Sequence, residues 1–243
     1  MQSSYYGKLC AIFYDEVKQF APQAELDFYT SFMQPGGRVL EAMTGSGRLQ
    51  IPIMQLGYQV DGVDCSPDML ARCVLRSKAL GLVPNLYQQY LDHLDTPFKY
   101  QTVVIAVGSF QLITDCQAAL NSLIKIREHM LPDADLLFSV FDPKLAEPWS
   151  KRVVRLSGST VLNLITRKEL DLEHKIAHAY CSYELVVAGQ VEQQEQELIS
   201  VTWYSDLELE QLLEQAGFKL MQIYDYFLPN SDGSKVVHAK IKN

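Results

Sequence analysis

Val39-Leu40-Glu41-Ala42-Met43-Thr44-Gly45-Ser46-Gly47-Arg48 is the stretch that decides the fold. An apolar run ends beside an acid, passes through two glycines, and enters a helical pattern over Leu49–Leu56. Glycine permits positive φ and lets a ligand approach the backbone closely. The helix start beyond it leaves N–H groups without intrahelical partners. Working outward, Pro35-Gly36-Gly37 marks the preceding loop. Arg38–Met43 is then a first strand, and short apolar runs recur at Tyr58–Val63, Asn85–Tyr90, Thr102–Val107 and Asp135–Phe141. Helical patterns over Met69–Leu80 and Ala118–Met130 lie between them. This alternation predicts an α/β fold, a doubly wound and mostly parallel Rossmann-like sheet with helices on both faces.

The pattern changes after Pro143. From Ser159 to Tyr204 the period is two, and Lys175–Val187 sets Ala177, Ala179, Cys181, Tyr183, Leu185 and Val187 on one face against His178, Tyr180, Ser182 and Glu184 on the other. Ala188-Gly189-Gln190 reads as a three-residue hairpin loop into Val191–Trp203. The Gln/Glu run Glu192–Glu197 reads as a solvated strand. The βα pattern resumes at Ser205, whose spacing to Glu208 is that of a capping box, and the helix Asp206–Gln215 stops at Ala216-Gly217. Phe218–Phe227 and Val236–Ile241, joined by Pro229–Gly233, form an antiparallel edge hairpin and bring the main sheet to seven strands. Before the first strand, Pro22 separates two short amphipathic helices. The expected organisation is one domain over 1–243: a helical cap at 1–34, a core at 35–143 and 205–243, and an antiparallel β insertion at 144–204 over an acceptor site.

The glycine turn fits a small set of ligands. The nicotinamide fingerprint requires a third glycine where this chain has Gln50. A Walker-A loop requires Gly-Lys-Ser/Thr, and Gly47-Arg48-Leu49 does not supply it. Glu41, four residues before Gly45, suits a ligand bearing a positively charged amino group rather than a diphosphate. Asp64, at the end of the second strand, stands where an acid accepts hydrogen bonds from ribose hydroxyls. Ser66-Pro67 fills the N-cap and first helical position there, which leaves Asp64 for a ligand.

Glu41-x-x-x-Gly45-x-Gly47, followed by Asp64-x-Ser66-x-x-Met69-Leu70, resembles the class I S-adenosylmethionine-dependent methyltransferases, in their small-molecule branch of the methyltransferase type 11/25 kind. The likeness covers 36–142, and more loosely 203–227 through Trp203-Tyr204-Ser205 and Ala216-Gly217-Phe218. It implies S-adenosyl-L-methionine as cofactor and S-adenosyl-L-homocysteine as product. Glu41, Ala42 and Gly45 would surround the methionyl part, with Gly47 admitting the helix. Asp64 would hold the ribose beside Cys65, and Met69 would pack on the adenine. Asp92, after Leu91, would accept from the adenine amino group. Val107-Gly108-Ser109-Phe110 would line the methyl-donor face. Leu131-Pro132-Asp133-Ala134-Asp135 matches a turn that the family writes with paired glycines, and Met43 stands where the family often has glycine. Amino-terminal helices often fold over the donor in this family, which makes Tyr5, Tyr6 and Tyr14 candidates for facing the sulfonium.

Methyl transfer from a sulfonium is an in-line displacement that needs alignment and dryness more than acid–base help. A hydroxyl acceptor gains from a base, and an amine needs only to be neutral. The acceptor-side polar candidates are His178 with Tyr180, and then His93. Composition narrows the remainder. Of 243 residues, 21 are Lys or Arg and 29 Asp or Glu, a net charge of −8 with no basic stripe, so nucleic acid is not the expected partner. The five scattered cysteines include no C-x-x-C pair, and the histidines lack paired spacing with acids, so no metal site is expected. Reduced thiols and the lack of a leader or spanning segment predict a cytoplasmic protein with no membrane partner. The insertion could pair between subunits to make a homodimer. The competing readings are a non-catalytic S-adenosylmethionine- or nucleoside-binding module and a nicotinamide oxidoreductase.

Overall fold

The computed structural model describes residues 6–143, 147–225 and 234–242. Two helices lead, α1 (Lys8–Val17) and α2 (Gln23–Thr30), with Pro22 as the N-cap of α2. The core then runs β1 (Arg38–Ala42), α3 (Gln50–Gln55), β2 (Gln59–Asp64), α4 (Pro67–Ala79), β3 (Asn85–Gln88), β4 (Tyr100–Ile105), α5 (Cys116–Glu128) and β5 (Met130–Val140). An antiparallel excursion follows as β6 (Trp149–Ser157), β7 (Thr160–Asp171), β8 (Ile176–Val187) and β9 (Gln190–Thr202). The chain returns through α6 (Asp206–Gln215), β10 (Phe218–Asp225) and β11 (Lys235–Ile241).

The main sheet has the order β10-β11-β5-β4-β1-β2-β3. Its pairs are parallel from β5 to β3, while β11 is antiparallel to both β5 and β10. β1 lies between β2 and β4, so the order reverses at β1. The crevice beyond the carboxyl ends of β1 and β4 is therefore the ligand position that such a sheet builds. Leu40, Val103, Ile105, Leu136 and Phe138 fill one face of the sheet with α5 and α6 residues; Val39, Val104 and Leu137 pack the other against Leu26, Tyr29 and Leu49.

The second sheet, β6-β7-β8-β9, buries one face under α1, where Leu9, Cys10 and Phe13 meet Leu162, Cys181 and Tyr183. Gln111, fully buried, ties this sheet to the core. Its amide nitrogen donates to the carbonyls of Phe141 (2.9 Å) and Thr202 (2.7 Å), and its oxygen accepts from the Phe141 N–H (2.8 Å).

Local differences from expectation have physical causes. Ala188 and Gly189 both take positive φ (49° and 85°), as a two-residue type I′ turn requires, so Gln190 already belongs to β9. Leu131–Ala134 is not a free turn but an irregular part of β5, where the pairing with β4 shifts between Tyr100 and Thr102. β6 carries little strand signal in the sequence, because Lys151-Arg152 and Arg155 blur its alternation. Residues 226–233, including the expected Pro229–Gly233 loop, lie outside the described residues. All five cysteines are free. Among the described residues no helix is long and apolar enough to cross a membrane.

Candidate functional site

Above the reversal of strand order opens a cleft. Glu41, Gly45, Asp64, Cys65, Met69, Leu91, Asp92, Val107 and Ser109 line it together with Tyr6 and Tyr14 of the cap. The two acids end neighbouring strands, with Glu41 paired to Gly62 in the β1–β2 register. Gly45 (φ 56°) and Gly47 (φ 79°) turn the chain between them. A Cβ on Gly47 would come within 2.6 Å of the Cys73 Sγ, so this glycine lets α4 approach the loop. Met43 also takes positive φ (61°), a conformation that favours the glycine the resemblance anticipates there. Val107 (φ 58°) is β-branched and strained at the opposite wall, ahead of Gly108.

Glu41 is only 3% exposed and accepts a hydrogen bond from the Thr44 hydroxyl at 2.9 Å. Burial pushes its carboxyl up to about 8, against the lowering pull of that bond and of Arg48. Asp64 is not left idle by the Ser66 cap. Its two oxygens accept the Gly45 and Ser66 N–H groups, each at 2.8 Å, and Ser66 separately caps α4 by accepting from the Met69 N–H. A carboxylate has about four acceptor positions, so these bonds leave Asp64 capacity for a ligand. Burial raises its pKa, and the backbone N–H groups hold it down.

The cap is bolted over this floor. Arg48, from the glycine turn, pairs with Glu25 of α2. Tyr14 of α1 lies against Arg48, and burial pushes its phenol up to about 12. At the other end of α1 the N–H groups of Leu9 and Cys10 donate to Glu195 at 3.0 and 3.1 Å, and the Gly7 N–H donates to Glu197. The Glu192–Glu197 run thus supplies the anionic cap that the sequence before α1 lacks. Ser66 also donates to the Tyr6 carbonyl at 2.7 Å, which holds Tyr6 at the cleft.

Several expected residues stand elsewhere. Ala42 is buried in β1, and Gly47 packs on α4. Gly108 donates its N–H to the Ser139 hydroxyl (2.8 Å) and has no room for a Cβ beside Phe141. Phe110 is fully buried, 5.1 Å from the Phe138 ring. His93 is largely exposed and paired with Asp92 at 2.9 Å. His178 bonds to Ser200 (2.8 Å), and Tyr180 stacks under Arg167; both lie on the face of β8 turned away from α1, outside the cleft lining. Tyr5 lies outside the described residues. The cleft also takes in Thr44, Arg48, Ile113, Asp115, Ala118 and Ser122. The first two sit inside the glycine motif and were open to assignment; the α5 residues carry no sequence signal.

Residues 39–129 match a family of methyltransferase domains, and this span holds the glycine turn, both acids and α5. Residues 39–129 are a methyltransferase domain. Along its length the methyltransferase is 23% identical over 223 residues to a Geobacillus sp. (strain WCH70) protein that bears a methyltransferase name, covering 88% of this chain and 89% of that one. Among solved structures it is similar to the sugar N-methyltransferase KedS8 of Streptoalloteichus sp. ATCC 53650, with TM-score 0.80, 16% identity and coverage of 100% and 96%. The CcbJ methyltransferase of Streptomyces caelestis superposes with TM-score 0.76 at 19% identity, covering both chains fully. At these identities the structures establish the fold of the methyltransferase, insertion included.

Proposed function

We propose that this enzyme transfers a methyl group from S-adenosylmethionine to a nitrogen of a small molecule by in-line displacement. The observation that carries the reading is the shared cleft of Glu41 and Asp64, with a glycine turn between them that lacks the Gly-Lys-Ser/Thr of a diphosphate-binding loop. Asp64 would take the ribose hydroxyls, and Glu41, next to Gly45, the α-amino group of the donor. Met69, Leu91 and Asp92 would enclose the adenine, while Tyr6 and Tyr14 would close over the sulfonium from the cap. The group supplies its own leaving sulfur, so the chain's share of the work is to orient the methyl and exclude water.

Nitrogen is favoured over oxygen by the lining itself. Among the described residues it holds no histidine, Asp64 and Asp115 accept from backbone N–H groups, Glu41 is buried, and Asp92 is paired with His93. An amine acceptor needs no base once neutral. The resemblance to a sugar N-methyltransferase points the same way. A donor-consumption assay across amine, phenol and carboxylic acid panels tests this: turnover confined to amines is expected, and turnover confined to hydroxyl acceptors would contradict it. The outward face of the insertion exposes Trp149, Val153 and Leu198 in a sheet with no partner among the described residues, and we assign it to a homodimer contact. Sedimentation of wild type against Trp149→Glu tests that assignment; a monomeric wild type would refute it.

A further inference from the structure

The Thr44 hydroxyl has one hydrogen and two oxygens to give it to. Its Oγ1 lies 2.9 Å from Glu41 Oε2 and 3.0 Å from Gln50 Oε1. All three residues are buried, and Gln50, which opens α3, fully so. The Gln50 amide is oriented by its other end. Its Nε2 faces the Val60 carbonyl at 3.5 Å, and a carbonyl only accepts, so the amide oxygen is the atom turned to Thr44. The Cys73 thiol, 3.5 Å away, is a weak second donor to that oxygen. β2 makes room for the bridge: a Cβ on Gly62 would come within 2.6 Å of Gln50 Oε1 and 2.8 Å of Thr44 Cγ2. Glycine inside a strand marks such a close approach. Glu41 and Thr44 line the cleft, and Gln50 stands behind Thr44, off the lining.

The bridge has two hydrogen patterns. With Glu41 neutral, its O–H donates to Thr44 Oγ1, and Thr44 donates to Gln50 Oε1. With Glu41 ionised, Thr44 turns its hydrogen to the carboxylate, and the Gln50 oxygen keeps only the thiol. A buried acceptor served so weakly costs stability, so the empty protein favours the neutral acid. Burial favours it too, raising Glu41 to about 8. An ammonium beside Glu41 reverses the balance. Of the other groups around Glu41, Arg48 of the glycine turn favours the carboxylate, and Glu25 of α2, which pairs with Arg48, opposes it. Burial pushes Tyr14 of α1 and Cys73 of α4 each up to about 12, so both keep their hydrogens. Asp64, on the neighbouring strand end, is braced by the Gly45 and Ser66 N–H groups.

We propose that Thr44 and Gln50 are positioning residues that act through Glu41: the Thr44 hydrogen is held by Gln50 in the empty cleft and turns to Glu41 when the donor's ammonium binds there. This rests on the methyl-transfer reading above. As the donor enters, the Glu41 proton passes to solvent, and the Thr44 hydroxyl rotates about one torsion; no other bond forms or breaks. The empty cleft then carries no buried charge at Glu41, and the loaded one has a carboxylate fixed by a hydroxyl. That carboxylate sets the α-amino end of the donor, and through it the line along which the methyl is presented.

The test is calorimetric titration of S-adenosylhomocysteine into the full chain across pH, in buffers of differing ionisation enthalpy, which counts the protons released. Wild type is expected to release about one proton in neutral solution, falling to half near the Glu41 value of about 8. Thr44→Val, which removes the carboxylate's hydroxyl donor, should move that half-point up by about one pH unit. Gln50→Leu, which leaves the Thr44 hydrogen to Glu41 alone, should move it down by about as much, and Thr44→Ser should keep the wild-type value. A merely structural role would weaken binding in both variants without driving their half-points apart. Thermal melting confirms folding, and Gln50→Met replaces Gln50→Leu if the latter is unfolded. Binding to wild type without proton release, or half-points that stay together or move the same way, overturns the proposal while donor binding stands. If S-adenosylhomocysteine does not bind to wild type, the methyl-transfer reading falls with it.

Discussion

Glu41 and Asp64 are both buried acids on adjacent strand ends, yet their surroundings set them different tasks. Backbone N–H groups brace Asp64, whereas Glu41 accepts from the Thr44 hydroxyl in a buried setting that raises its pKa to about 8. Pairing Glu41 with an ammonium therefore releases its proton. Donor affinity is expected to climb as pH rises toward about 8, by a factor approaching ten per unit, and to fall above it as the donor's own amino group loses charge. Calorimetry across pH checks this, and Glu41→Gln should erase the rising limb. In the free chain the sign is opposite. The folded state holds the Glu41 proton more tightly than the unfolded chain does, so its stabilising share is full in acid and is lost as pH rises through about 8. At this scale the acids and the glycines were legible, because acids at strand tips beside a glycine turn have little structural reason to be there. The engagement of Asp64 by Gly45 was not, since a backbone donor leaves no mark in the sequence.

At the scale of elements, α1 depends on a strand some 185 residues away. Its first N–H groups are capped by Glu195 and Glu197, and a Cβ on Gly7 would come within 2.8 Å of Glu195. Charge-assisted bonds of this kind contribute about 1.5–3 kcal/mol each. Replacing both acids with alanine should loosen α1, raise amide exchange at residues 9–11 and weaken donor binding roughly tenfold or more through Tyr6 and Tyr14. Unchanged exchange in α1 would contradict the clamp. The Gln/Glu run read as a plain solvated strand because the sequence cannot reveal a cap delivered from so far along the chain. The capping box at Ser205 and Glu208 was legible, and the structure contains it, since both partners lie within one turn. His178 and Tyr180 drew attention by residue type, but strand parity alone does not say which face of an insertion meets the core.

For the whole molecule, the question is how the insertion is held above the cleft. Gln111 satisfies three backbone groups across two sheets, so Gln111→Ala strands Phe141 and Thr202 groups in a dry interface. A loss of about 2–4 kcal/mol in unfolding free energy is expected by denaturant titration. A change under about 0.5 kcal/mol would show that the sheets are held together by other means. The alternation of strand and helix made the seven-stranded sheet readable, because each βα unit has local periodicity. The docking of the second sheet was not readable, since the buried Gln111 amide and the packing of α1 that hold it join segments far apart in the chain.

The central claim is that the cleft between β1 and β2 receives an adenosyl amino acid. Isothermal titration of S-adenosylhomocysteine into wild type, Asp64→Ala and Asp64→Asn tests it most directly. The account predicts saturable one-site binding to wild type, weakened by roughly a hundredfold in Asp64→Ala and by less in Asp64→Asn, which keeps one acceptor oxygen. No heat from folded wild type, or equal affinity in all three proteins, would contradict it.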